Sequence, residues 1–191
     1  MPRTTPTLPL ALALAFVLAV PPTAPASDLE PGSPVTAARA ADTLEVIRVV
    51  DAIDAAVDAK DWVATESLFA EELRVDFTAL MGGEPSTMPA SALVGAWSAN
   101  LTAEKTSFHL RGNHRVTFEG EDRATVHSHG YAWNRLERGA AAENGGDPLW
   151  EVWGSYVHGL RRTEEGWRVD AMTFVILAER GNPFVRNTPG Q

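Results

Sequence analysis

Few side chains in this sequence could move a proton, and their spacing narrows them further. There are five histidines, His109, His114, His127, His129 and His158, and no cysteine. Asp51, Asp54 and Asp58 recur at i, i+3 and i+7, which places all three on one side of a helix. One reading of that stripe is a solvated acidic face. The other is that Asp58, beside Ala56 and Val57, tips into a pocket and pairs with an imidazole. A carboxylate next to imidazole fixes its tautomer and raises its basicity, which suits proton abstraction near neutral pH. His109, flanked by Phe108 and Leu110 in an alternating run, is the partner that strand geometry favours. His114 follows Gly112-Asn113, where a bulge could reverse which way it faces. His127 and His129 project from one side of an extended run, as in H-x-H metal pairs. No spacing supplies a third ligand, so they read as a polar outer sheet face, and no metal or cofactor is expected. The chain also contains no P-loop, G-x-G-x-x-G, G-x-S-x-G or H-E-x-x-H pattern, which argues against nucleotide-dependent and serine-hydrolase chemistry. Six tryptophans exceed what one small core needs. Some of them, Trp97 included, are expected to line a cavity for a flat apolar ligand.

The elements that must position these groups follow from periodicity. Val46, Val49, Val50, Ile53 and Val57 form one apolar stripe, predicting a helix over 43–60. Asp61 suits the N-cap of a second helix, and Pro89 the start of a third that reaches about residue 101. A short strand is expected at 73–77. From residue 106 the period becomes two. It predicts long strands through 108–118, 124–136, 150–162 and 167–176, with turns at 119–122 and 163–166. Helices followed by a meander give an α+β fold, a curved antiparallel sheet packed with about three N-terminal helices. A strongly curved sheet closed by helices encloses a pocket.

Composition bounds the partners. With 191 residues, 45% of them apolar, one core suffices. A net charge of -9 repels phosphate backbones and anionic lipid, so neither nucleic acid nor a membrane surface is an expected partner. Arg3, an apolar run over 8–20, and Ala24 and Ala26 at a small-residue exit read as a secretory signal peptide over 1–26. Export to the periplasm or beyond the cell is the corresponding expectation. A linker is expected over 27–42, the domain over 43–178, a loop over 139–147 and a loose tail over 179–191. Without disulfides, oligomerisation is one alternative source of stability.

Several segments together resemble a known family. Val57-Asp58-Ala59-Lys60-Asp61-Trp62, Leu73-Arg74-Val75-Asp76-Phe77, Met88-Pro89 with Leu93-Val94-Gly95, and Phe108-His109-Leu110-Arg111-Gly112-Asn113-His114-Arg115 resemble scytalone dehydratase. More broadly, they resemble the SnoaL-like branch of the nuclear transport factor 2-like superfamily. Trp153-Gly154-Ser155-Tyr156 and Glu165-Gly166-Trp167-Arg168 fit as well, so the resemblance spans about 43–176. It implies a cone-shaped fold around an apolar pocket, often as a homo-oligomer (a dimer or trimer), and cofactor-free dehydratases, isomerases and cyclases alongside binding domains. It carries the family's aspartate onto Asp58 and its first histidine, the acid/base, onto His109. Two pocket tyrosines fall on Val57 and Phe77, the second histidine near Asn134, and a pocket serine on or near Ser155. Two functions follow as expectations. One is a lyase or isomerase acting on a small apolar carbonyl or hydroxyl compound through Asp58 and His109, with Val57, Phe77, Trp97, Asn134 and Ser155 against the substrate. The alternative is a non-catalytic binding domain for a hydrophobic small molecule.

Overall fold

A computed structural model describes residues 32–136 and 146–187. The expected leader, most of the 139–147 loop and the end of the tail lie outside the described residues. Helix α1 (Ala40–Asp58) starts three residues before its apolar stripe predicts, and Val46, Val49, Val50, Ile53 and Val57 are all buried. Each such side chain is worth about 1.5–3 kcal/mol when fully buried, so this stripe is the main anchor of the helix. Lys60, in the left-handed region at φ 58°, breaks the chain away from the helix end. In α2 (Trp62–Ser67) the Asp61 carboxylate accepts from the Ala64 N–H at 3.0 Å, the expected N-cap.

Strand β1 (Phe69–Asp76) begins earlier than alternation predicts. The short α3 (Thr78–Met81) and β2 (Ser86–Pro89) follow it, both too brief to leave a periodic signal. After α4 (Ala90–Asn100) come four long strands, β3 (Lys105–Glu119), β4 (Arg123–Leu136), β5 (Leu149–Thr163) and β6 (Gly166–Gly181). They form one six-stranded curved sheet in the order β2-β1-β6-β5-β4-β3, antiparallel except where β1 runs parallel to β6. The fold is α+β, as expected.

Strand β3 turns His109 toward the helices, as its pairing with Asp58 requires, and changes faces at the bulge that Gly112-Asn113 suggests. Phe108 and Leu110 are 41% and 59% exposed and point away from the helices, while Ser107, His109 and Arg111 point toward them. The register with β4 then slips by one residue between Gly112 and Arg115, where Asn113 adopts φ 55°. An inserted residue exchanges the two faces of a strand. Past the bulge the even-numbered Val116 is buried, so the apolar alternation faces outward in the first half of β3 and inward in the second.

The expected loose tail is corrected. Strand β6 continues to Gly181, and Pro183–Asn187 forms a last helix, α5. The Asn182 side chain accepts from the Phe184 N–H at 3.0 Å, and Val185 is fully buried with Ala132, Leu136, Trp150, Val152 and Phe174. Asn followed by Pro is an N-cap and first-turn pair, so this helix had a local signal in the sequence.

Candidate functional site

The spaced aspartates of α1, Asp51, Asp54 and Asp58, are not left to solvent alone. Each meets a basic side chain on β3, making a ladder of three rungs. Asp51 Oδ1 lies 2.9 Å from His114 Nε2. Asp54 takes both Nε (2.9 Å to Oδ2) and Nη2 of Arg111 in a bidentate pair. Asp58 Oδ1 lies 2.7 Å from His109 Nδ1, and its Oδ2 accepts the His109 backbone N–H at 2.7 Å. Helix turns and strand steps advance at similar rates here, and the β3 bulge brings His114 onto the helix side to complete the ladder.

The lowest rung has further support. Lys60 Nζ donates to Ser107 Oγ at 2.7 Å, and ammonium has only donors, so the serine's own hydrogen goes to Asp58 Oδ1 at 2.9 Å. Burial pushes the Asp58 carboxyl upward. The His109 ring and backbone N–H and the Ser107 hydroxyl outweigh it and hold the group below its ordinary value of 3.8. An ionised carboxylate only accepts, so neutral His109 carries its hydrogen on Nδ1 and leaves Nε2 as a bare acceptor. Burial lowers the Lys60 amine, with the Asp58 charge opposing.

His109 and the middle rung open on a cavity of about 770 Å3 between helices and sheet. This volume is in the range of small-molecule sites. Its walls are largely apolar. Val57, Phe77 and Trp97 lie on one side, with Phe77 stacked on Trp97 at 6.4 Å between ring centres. Trp150, Tyr156 and Phe174 lie on the other, and Arg186 and Asn187 of α5 also reach the wall. Asn134 lines the cavity too, and its buried Oδ1 has no hydrogen-bond partner among the described residues. At this end the fully buried Lys105 donates to Asn100 Oδ1 (2.6 Å) and to the Arg186 carbonyl (3.1 Å), tying α4 to α5. Burial, and then the charge of Lys60, lowers its amine to about 8.

Of the residues expected at the site, Asp58 meets His109 from behind, while His109, Val57, Phe77, Trp97 and Asn134 share the cavity wall. Ser155 does not join them. It pairs in register with His129 and Val175, both exposed, so strand alternation turns it to the outer face while Tyr156 faces in. His127 and His129 lie on that outer side as well, with His129 Nδ1 3.1 Å from Asn113 Nδ2. Sequence reasoning missed Arg111, Asp54, Ser107, Lys60 and Tyr156. For the first two a signal existed, because the i, i+3, i+7 acids of α1 match the basic residues of 109–114 in number and pair with them in reverse order.

Behind the middle rung sits a closed group of rings. The Arg111 guanidinium lies 4.0 Å above the Tyr156 ring, and its Nη1 donates to His158 Nε2 at 3.2 Å. His158 is fully buried. Burial first, then the charges of Arg111 and His114, hold its imidazole neutral, well below its ordinary 6.5.

A curved six-stranded sheet wrapped by helices around a cavity, with an imidazole on its wall backed by an aspartate, is an α+β fold of the nuclear transport factor 2-like kind. The chain belongs to the SnoaL-like domain family, whose model matches residues 38–173. Solved structures agree on the fold. The Kfla4162 protein of Kribbella flavida is 27% identical with a TM-score of 0.71, the match covering 77% of this chain and 98% of that one. A protein of Novosphingobium aromaticivorans provisionally named a scytalone dehydratase is 16% identical, with a TM-score of 0.65 and coverage of 76% and 91%. The LinA-type3 hexachlorocyclohexane dehydrochlorinase of Novosphingobium barchaimii is 14% identical, with a TM-score of 0.58 and coverage of 74% and 90%. No curated protein matches the chain.

Proposed function

We propose that this SnoaL-like protein is a cofactor-independent lyase of the dehydratase kind, or an isomerase, acting on a small, largely apolar carbonyl or hydroxyl compound. The observation that carries the reading is the 2.7 Å Asp58–His109 pair, whose histidine lies on the wall of a largely apolar cavity of about 770 Å3. His109 Nε2 takes a proton from a carbon next to a carbonyl. Asp58 stabilises the imidazolium formed, and the desolvated cavity strengthens that interaction. In an isomerase the same nitrogen returns the proton to another carbon. In a dehydratase it protonates the departing hydroxyl, so that a C–H and a C–O bond break, a C=C forms and water leaves. Asn134 positions a substrate oxygen or hydroxyl. Two of the similar structures bear the names of eliminations, a dehydratase and a dehydrochlorinase, which supports the same class here.

The test uses 1-indanone in D2O, with α-proton exchange followed by proton NMR. The reading predicts exchange above the buffer rate, and a His109→Ala variant slower by about 10²-fold or more. Full turnover by His109→Ala would remove that residue from the mechanism. One observation favours a binding domain instead: Val57 and Phe77 place no hydroxyl on their side of the cavity. Saturable indanone binding without exchange would support that alternative.

Two further parts of the proposal concern the whole molecule. The sequence of the leader supports export, and N-terminal sequencing of the mature protein should begin at Ser27. Phe108, Leu110, Val175 and Leu177 on the exposed side of the sheet support self-association through that face. Light scattering should therefore give a dimer or trimer, and Leu110→Glu should shift it to monomer.

A further inference from the structure

Proton removal beside a carbonyl leaves negative charge on the carbonyl oxygen, and a donor placed at that oxygen is commonly the largest single catalytic contribution. Neither Val57 nor Phe77 can supply one. The chain has two tyrosines. Tyr131 donates to Glu151 at 2.6 Å, whereas Tyr156 lines the cavity. The Tyr156 hydroxyl has no hydrogen-bond partner among the described residues, although its ring is held on several sides. Phe174 lies 4.4 Å from it, His158 5.7 Å, and the Arg111 guanidinium covers one face.

The ring's direction can be read from the sheet. Tyr156 pairs with Ser128, yet a Cβ on Gly130 would fall 2.4 Å from its Cε2 and 3.6 Å from its Cζ. The ring therefore leans along the strands over Gly130, using space that any side chain there would fill. Gly130 is level with Arg111, and the next inward pair is His109 with Ala132. The hydroxyl end of Tyr156 thus sits in the row beside that of His109, and such rows are about 6.8 Å apart along a strand. A base nitrogen, an α-carbon, its carbonyl oxygen and a phenol donor in sequence span roughly that length, at ~3 Å per hydrogen-bonded contact. Burial raises the phenol above its ordinary value, with the Arg111 charge opposing, so the group stays protonated and can donate.

We infer that the Tyr156 hydroxyl is the donor that receives the substrate's carbonyl oxygen while His109 removes the proton from the adjacent carbon. The C–H electron pair becomes the enolate C=C, and the carbonyl π pair moves onto oxygen, where the phenol hydrogen bond stabilises it. The phenol keeps its proton throughout. Return of the proton from His109 restores the cycle. This inference rests on the proton-transfer reading and names the oxygen site of the same cavity.

The experiment uses 1-indanone labelled with 13C at the carbonyl, at saturating protein, with the full mature chain. On the wild type the bound carbonyl resonance should move downfield of its position in apolar solvent. In Tyr156→Phe, with the thermal transition and far-UV spectrum preserved, the displacement should vanish and α-exchange should slow by about 10²-fold or more. His109→Ala should lose exchange but keep the displaced carbonyl resonance. A wild-type resonance position or exchange rate in Tyr156→Phe would overturn the assignment. If the wild type neither binds nor exchanges the ketone, the reading beneath it fails first, a result that Tyr156→Phe could not produce on its own.

Discussion

The middle and lower rungs of the α1–β3 ladder are built from the same parts, an aspartate on one helix and a basic residue on one strand, and they do different things. The Arg111 side chain is 2% exposed, is held by both oxygens of Asp54, covers Tyr156 and donates to a neutral histidine. Its charge is permanent and its geometry is closed. The His109 side chain is 20% exposed and is held through one ring nitrogen, which leaves the other available on a residue of the cavity wall. The contrast shows how one structural motif can act as a fastener or as a reactive pair. The difference lies in whether the base has a second nitrogen to spare and whether solvent or ligand can reach it.

The largest expected effect is on the fastener. Arg111→Met leaves Asp54 without its guanidinium in a nearly buried place, and should cost about 3–5 kcal/mol in urea unfolding. Asp54→Leu combined with Arg111→Met should recover much of that. A loss below about 1 kcal/mol for the single variant would mean that the two rungs do not differ as described. Next comes the reactive pair. Asp58→Asn keeps the size of the side chain but lets an amide meet His109 Nδ1, so ketone exchange should fall by about 10²-fold while the fold survives.

The third prediction concerns pH. His158 is neutral when folded, with its value well below 6.5, so the unfolded chain binds a proton that the native state refuses. Its contribution is present above pH 6.5 and is lost as the pH falls, at up to about 1.4 kcal/mol per pH unit. Urea midpoints measured between pH 7 and pH 5 should decline more steeply for the wild type than for His158→Gln, and equal slopes would contradict a neutral buried imidazole. The smallest effect belongs to the upper rung. The Asp51 side chain is 45% exposed, so Asp51→Ala should change stability by only about 0–1 kcal/mol.

Much of this arrangement was legible in the sequence, and the unread parts have identifiable causes. The α1 stripe, the Asp61 cap and the long strands declared themselves through periodicity, because burial on one face imposes it. The reversal of facing along β3 left a fainter mark, the Gly112-Asn113 pair that pointed to a bulge ahead of His114, because a single inserted residue is enough to exchange the two faces. The α1 acids looked solvated because their partners lie about fifty to sixty residues away, and helical spacing alone carries no record of what packs opposite. Ser155 and Tyr156 exchanged roles for a simpler reason, since in a strand an alignment uncertain by one residue turns the side chain to the other face. Tyr156 also depends on the room left at Gly130, a relation between strands that no linear pattern displays.

The most direct test of the account is the nitrogen spectrum of His109. In protein labelled with 15N at histidine, long-range proton–nitrogen correlations distinguish a hydrogen-bearing ring nitrogen from a bare one. His109 in its neutral form should show a hydrogen on Nδ1, donated to Asp58, and a bare Nε2, and Asp58→Asn should lose that preference. A neutral His109 with its hydrogen on Nε2 would contradict the account, because the nitrogen left for the cavity could no longer accept a proton.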